Sequence, residues 1–148
     1  MLKIASLNCR RLAKVGGTLN QQQQKQKNYI RYLRSMHFDI LALQDTKIPN
    51  TNYEQLLSNQ FHAHSCHWST YCGLVCFSPN IIITPLLHTL DGRGLLVTVS
   101  DINSSFKPFY IFNIYVPAPD QLRYLFFLRF FLFFNPPLSP SYYLVVLF

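Results

Sequence analysis

The chain has 148 residues, enough for one domain at roughly 150 residues each. Hydrophobic residues make up 49% and aromatics 16%, which excludes a disordered chain, because there is ample apolar surface to set against conformational entropy. Charged residues reach only 13%, half of the ~25% usual in soluble domains, with 13 Lys and Arg against 6 Asp and Glu for a net charge of +7. The basic excess favours polyanionic partners such as nucleic acid, while 13 Phe beside so few charges point either to a membrane segment or to core elements in need of covering layers.

Taken in chain order, residues 2–7 form a short apolar run of strand length that ends in the polar Asn8-Cys9-Arg10-Arg11. That run is too short for the apolar region of ~7–15 residues in a secretory signal. Gln-rich residues 21–27 fit an exposed loop or the first turns of a helix. From Asn28 onward, Tyr29, Ile30, Leu33 and Met36 repeat at helical spacing, with Lys27, Arg31 and Arg34 on the other sides. Residues 38–43 read as a buried strand leading into Gln44-Asp45-Thr46. Thr51-Asn52-Tyr53-Glu54 fits a capping box and predicts a short helix over residues 52–57.

Beyond that point the helical signal stops. Residues 61–67, 73–78, 81–90, 94–100 and 109–116 are predicted strands, with a turn at Asp91-Gly92-Arg93-Gly94 and a stop at Pro117-Ala118-Pro119. Residues 121–134 return to helical spacing, and 142–147 form a last apolar strand. Residues 122–134 fall short of the ~20 apolar residues of a membrane helix, carry Arg123 and Arg129, and end at Pro136-Pro137, so no membrane span is expected. The alternation predicts one α/β domain over residues 1–148, with sheets covered by helices and no internal repeat. The four cysteines, Cys9, Cys66, Cys72 and Cys76, show no disulfide spacing and are expected as reduced thiols of the cytosol or nucleus.

Polar residues at the carboxyl ends of buried strands are where such folds place their chemistry. Three strand ends stand out: Leu7-Asn8, Leu43-Gln44-Asp45-Thr46 and Asn113-Ile114-Tyr115. They fit ordinary strand caps. They also fit a metal site in which Asp45 supplies an anionic oxygen and Asn8 a neutral one. Mg²⁺ takes oxygen ligands and keeps several waters, so one or two carboxylates plus a substrate phosphate suffice. His62, His64, Cys66, His67, Cys72 and Cys76 offer softer ligands, but their order departs from structural zinc spacing; small buried hydrophobes explain Cys72 and Cys76 equally well. Arg10, Arg11, Lys14, Lys25, Lys27, Arg31 and Arg34 concentrate positive charge in the first quarter, as solvated faces or as phosphate-backbone contacts.

The runs Leu2-Lys3-Ile4-Ala5-Ser6-Leu7-Asn8, Asp39-Ile40-Leu41-Ala42-Leu43-Gln44-Asp45-Thr46 and Asn113-Ile114-Tyr115-Val116-Pro117 resemble the endonuclease/exonuclease/phosphatase family. The resemblance is greatest to the endonuclease domain of LINE-type (non-LTR) retrotransposons, and Cys72-Gly73-Leu74-Val75-Cys76-Phe77-Ser78 and Asp91-Gly92-Arg93-Gly94 stand at the expected intermediate places. The resemblance implies a DNase I-like four-layer α/β sandwich that hydrolyses phosphodiesters or phosphomonoesters with Mg²⁺ or Mn²⁺. It places Asn8 near the metal and the scissile phosphate, Asp45 as the metal carboxylate, and Tyr115 as a phosphate-binding or orienting phenol. DNA is the implied partner, with no obligate protein partner.

Two departures set the expected activity low. Asp45 stands where the family has Glu, and the family's late Gly-Asp-x-Asn and Asp-His motifs have no counterpart, the chain ending at Phe148 after the strand that would lead to the first of them. The expectation is an incomplete sandwich, the front part of a nuclease domain. In it, helix 121–134 would lack a covering second sheet and expose an apolar patch. A nucleic-acid-binding remnant without activity, and a phosphatase of the same family, are the alternatives.

Overall fold

The computed structural model describes residues 1–10, 12, 19–116, 123–126, 128 and 139–148. Its elements run β1 (Ile4–Asn8), α1 (Leu19–Ser35), β2 (Ile40–Gln44), α2 (Thr51–Phe61), β3 (Ser65–Trp68), β4 (Cys72–Cys76), β5 (Ile81–His88), β6 (Gly94–Asp101), β7 (Phe109–Ile114) and β8 (Tyr143–Leu147). Two four-stranded sheets form, in the orders β1-β2-β4-β3 and β5-β6-β7-β8. Each is mixed: β1 pairs parallel with β2 and β7 parallel with β8, while the other neighbours are antiparallel.

Side-chain alternation along the strands sets the layers. Ile40, Ala42, Cys72, Leu74 and Cys76 of the first sheet meet Ile83, Leu95, Val97, Val99 and Ile111 of the second. On the other face of the first sheet, Leu41, Leu43 and Val75 pack under Ile30 and Leu33 of α1 and Leu57 and Phe61 of α2. On the outer face of the second sheet, Leu96, Tyr110, Phe112 and Ile114 form a third cluster, against which Phe126 of the helical residues 123–126 packs. The result is helix, sheet, sheet, helix. β2 and β4 are buried throughout, as central strands covered on both faces should be.

The α/β sandwich is the expected class, but one expectation needs correction. The second sheet is present, because β5, β6 and β7 form an antiparallel meander to which β8 adds in parallel. Among the described residues of the predicted helix 121–134, Tyr124, Leu125 and Leu128 are exposed while Phe126 packs inward; the rest of that helix, with Arg11 and Lys14, lies outside the described residues.

Local chemistry accounts for the remaining shifts in boundary. α1 begins at Leu19, so the Gln-rich residues 21–27 are its first turns and not a loop, because straight-chain Gln and Lys keep rotamer freedom in a helix. Asn50, not Thr51, caps α2: its side-chain oxygen accepts from the Tyr53 N–H at 2.9 Å. The helix runs on to Phe61, where His62 takes the left-handed conformation (φ 48°) and stops it, so Phe61 ends a helix instead of opening a strand.

Gly73 is required by its neighbour. A Cβ there would lie 2.2 Å from the Trp68 ring, which the adjoining strand lays across it while its indole N–H donates to Ser58 Oγ at 3.0 Å. Gly73→Ala is expected to lose about 1–3 kcal/mol by overpacking, measured as a fall in the urea midpoint. Wild-type stability in that variant would show that Trp68 can swing aside at no cost.

Candidate functional site

β1 and β2 run parallel, so Asn8 and Gln44 finish side by side at one end of the first sheet. β7 of the facing sheet ends there too, while β4 and β6 begin there, which brings in residues 69–72 and 91–94. Alternation then decides what points into the seam. Gln44 follows Ile40 and Ala42, and Asn113 and Tyr115 follow Ile111, all on the face between the sheets.

A buried amide clasp closes the seam from inside. Gln44 Nε2 donates to Asn113 Oδ1 at 2.7 Å and to Ser6 Oγ at 2.9 Å. Asn113 Nδ2 donates to the Leu43 carbonyl at 3.0 Å and the Gly73 carbonyl at 2.9 Å. Cys9 hangs on the same strand end, its backbone N–H and its thiol both donating to the Gln44 carbonyl at 3.0 Å.

Asp45 comes immediately after the clasp, in the left-handed conformation (φ 57°), which Asp adopts more readily than most residues. Its Oδ1 is buried and meets no hydrogen-bond donor among the described residues, and the Gln44 Oε1 beside it is in the same state. Across the mouth the Tyr115 phenol lies within reach of Asp45. Burial raises its pKa first, Asp45 adds to the rise, and Arg93 pulls it back in part, so the phenol is a protonated donor at neutral pH. Tyr71 and Tyr115 stack with ring centroids 5.5 Å apart, and the Arg93 guanidinium sits 4.3 Å and 5.1 Å from those two centroids. Asn8 is the most exposed of the expected residues, and its Oδ1 accepts from the Arg10 N–H at 3.0 Å.

Asn8, Asp45 and Tyr115 therefore share one mouth, with Asp45 and Tyr115 adjacent and Asn8 one strand away. Gln44, Asn113, Tyr71 and Arg93 belong to the same cluster; the first two stand in the strand-end runs and Arg93 in the turn read from the sequence, none with a role of its own, and Tyr71 stands in none of them. An amide at an inward position of an otherwise apolar strand could have marked Gln44 and Asn113. Tyr71 and Arg93 lie in connections whose meeting no local pattern announces.

No protein-family model matches the sequence, and no curated protein matches it. Solved structures do match. An endonuclease/exonuclease/phosphatase family protein from Leptotrichia buccalis C-1013-b aligns with a TM-score of 0.55 at 14% identity, over 99% of this chain and 66% of its own. The fold is that of the endonuclease/exonuclease/phosphatase proteins, in part. TDP2 from Caenorhabditis elegans aligns with a TM-score of 0.54 at 13% identity, over 81% of this chain and 36% of its own. The AP endonuclease LMAP from Leishmania major aligns with a TM-score of 0.53 at 14% identity, over 84% of this chain and 44% of its own. The chain thus spans less than two thirds of the length of each of these structures.

Beside the mouth, a cavity of about 610 Å³ opens between residues 8–10, α1 and α2, lined by Asn8, Arg10, Lys25, Lys27, Tyr29 and Tyr53 among others, with no carboxylate among its described lining residues. Elsewhere, the thiols of Cys72 and Cys76 donate to backbone carbonyls, Cys72 to Arg93 at 3.2 Å and Cys76 to Ser78 at 3.4 Å. Among the described residues no three of His, Cys, Asp and Glu come together to hold a metal, and no helix is long and apolar enough to cross a membrane.

Proposed function

We propose that this chain is a divalent-metal-dependent phosphodiester hydrolase domain of the DNA-endonuclease kind, of retrotransposon origin, with weak or no turnover by itself. The observation that carries the reading is the buried Asp45 Oδ1 without a donor, at the point where three strand ends converge beside a protonated phenol and a guanidinium. A buried carboxylate oxygen left unpaired is costly unless a cation or donor comes to it. Hard oxygens of one carboxylate and neighbouring amides fit Mg²⁺ or Mn²⁺, which keep several waters and need few protein ligands.

Asp45 would hold the ion, with Asn8 nearby; its amide oxygen still has one free lone pair. When bound, the ion supplies charge stabilisation on a phosphoryl oxygen. The chain's own groups do the rest. Tyr115 donates a hydrogen bond to a phosphate oxygen, and the Gln44–Asn113 clasp holds Asp45 and Tyr115 at their separation. Asp91, the other carboxylate near the mouth, is engaged by Thr89 and Arg93, so among the described residues no uncommitted second carboxylate stands ready to activate the water, which is the reason for expecting weak turnover. The fold shared with an AP endonuclease favours a nucleic-acid substrate. Four unpaired cysteines suit a reducing compartment, cytosol or nucleus.

Mn²⁺ binding followed by electron paramagnetic resonance, alongside nicking of supercoiled plasmid, tests this reading. The wild-type chain is expected to bind Mn²⁺ and Asp45→Ala to bind it at least about tenfold more weakly, with any nicking lost in the variant. Equal Mn²⁺ binding by both proteins overturns it. The carboxylate-free cavity beside Asn8 favours a second reading, binding of nucleic acid without cleavage. A steep fall of DNA affinity with salt, in a protein indifferent to Mn²⁺, would select that one.

A further inference from the structure

The turn from β5 to β6 is built to hold one side chain still. Thr89 Oγ1 accepts from the backbone N–H groups of Arg93 (3.1 Å) and Gly94 (2.8 Å) and donates to Asp91 Oδ1 at 2.6 Å. Gly92 takes φ 69°, and its carbonyl receives the Tyr71 N–H at 3.0 Å and the Ser69 hydroxyl at 2.8 Å. The Arg93 carbonyl receives the Tyr115 N–H at 2.8 Å and the Cys72 thiol. The turn is thereby tied to both tyrosines over which its guanidinium lies.

The charge on that guanidinium is poorly matched. Among the described residues its ion pair is with Asp91, 3.8 Å from Nε, and the Asp91 carboxylate is half exposed and already accepts from Thr89 Oγ1 and the Arg93 N–H. Among the described residues, Arg93 Nη1 is buried and meets no acceptor. Asp45, which also acts on the Tyr115 phenol, has a buried Oδ1 that meets no donor among the described residues. Two opposite charges are each left one partner short, around one phenol, at one mouth. A phosphate ester supplies an anionic oxygen for one and, through a bound cation, a partner for the other. A planar guanidinium held on aromatic faces is pre-organised to accept such oxygens in a fixed plane.

We propose that Arg93 is the anion-binding half of this mouth, seating a phosphate oxygen of the substrate against the Tyr71–Tyr115 stack in a way that does not require the divalent cation. The inference rests on the phosphodiesterase reading above. Its chemistry suits a nucleic-acid phosphate or a small phosphorylated molecule alike, and the experiment separates the two.

The full chain, kept in EDTA, is titrated with inorganic phosphate, read as a shift of the thermal midpoint, and with a fluorescein-labelled single-stranded oligonucleotide, read by anisotropy. Phosphate should raise the midpoint of the wild type and leave that of Arg93→Ala unmoved, while oligonucleotide affinity falls at least tenfold in the variant. Arg93→Lys keeps the charge and loses the planar fork, so it should fall between the two; it also serves if the alanine variant does not fold. Sensitivity of both ligands to Arg93 assigns the seat to a nucleic-acid phosphate. Sensitivity to phosphate alone keeps the seat and assigns it to a small phosphorylated molecule. Binding of both ligands unchanged in Arg93→Ala and Arg93→Lys overturns the inference, and if Asp45-dependent Mn²⁺ binding persists in the same proteins, the phosphodiesterase reading survives it.

Discussion

Replacing Asn113 by alanine is expected to cost about 4 kcal/mol, the loss of three buried hydrogen bonds at once. The side chain is wholly buried and makes three hydrogen bonds, all to the other sheet: one accepted from Gln44 and two donated to the Leu43 and Gly73 carbonyls. Removal takes one hydrogen bond from each carbonyl in the buried seam and leaves Gln44 Nε2 donating to Ser6 Oγ alone. Because Gln44 immediately precedes Asp45, the same change should loosen the candidate site, so any Mn²⁺ affinity falls along with stability. Urea unfolding with an unchanged slope and a lower midpoint is the expected readout. A loss below about 1 kcal/mol would show that apolar packing between the sheets suffices without the clasp.

Stability is also expected to collapse on the alkaline side. Burial pushes the Cys9 and Cys72 thiols up to about 12 and Cys66 to about 11, from an ordinary 9.0. Below pH 9 these thiols are protonated in both folded and unfolded chains and contribute no pH dependence. Between pH 9 and 11 the unfolded chain releases protons that the folded chain retains, so stability falls by about 1.4 kcal/mol per pH unit for each thiol. Against a total of about 5–15 kcal/mol for a small domain, three such thiols remove about 8 kcal/mol by pH 11, enough to unfold a domain at the lower end of that range. Urea midpoints at pH 7, 8.5 and 10 measure the slope. Cys72→Ala should flatten it, since one titrating group is gone. Equal midpoints at pH 7 and 10, or immediate reaction of all four thiols with a disulfide reagent in the native protein at pH 8, would contradict the buried placement.

Much of the secondary structure was legible in the sequence because its causes are local. The apolar run ending at Leu43 is long enough only for a strand, and strand alternation at 81–83 matches a face turned to the core, with Ile81 and Ile83 buried and Ile82 exposed. The helix after Thr51 was legible too, though its cap was misplaced by one residue, since Asn50 competes for the same role. Its end was not legible, because a left-handed His62 leaves no compositional mark.

The site divides along the same line. Asn8, Asp45 and Tyr115 stand out in the sequence because each closely follows an apolar strand, and the polar-after-apolar pattern is visible in a window of a few residues. Their company was decided elsewhere. The Gln44–Asn113 bond joins residues 69 apart. Arg93 meets Tyr71 and Tyr115 only because β4, β6 and β7 deliver three connections to one end of the sandwich. The second sheet was missed for a related reason, since whether β5 to β8 close into one sheet depends on pairings between segments far apart in the chain. By itself, then, the sequence determined most of the strands and helices and the polar residues that follow the apolar runs, through short-range periodicity and propensity. The tertiary structure alone decided which strand ends face one another, and with them the pairing of an unmatched carboxylate and an unmatched guanidinium, because register and sheet packing are set by long-range burial that no local window contains.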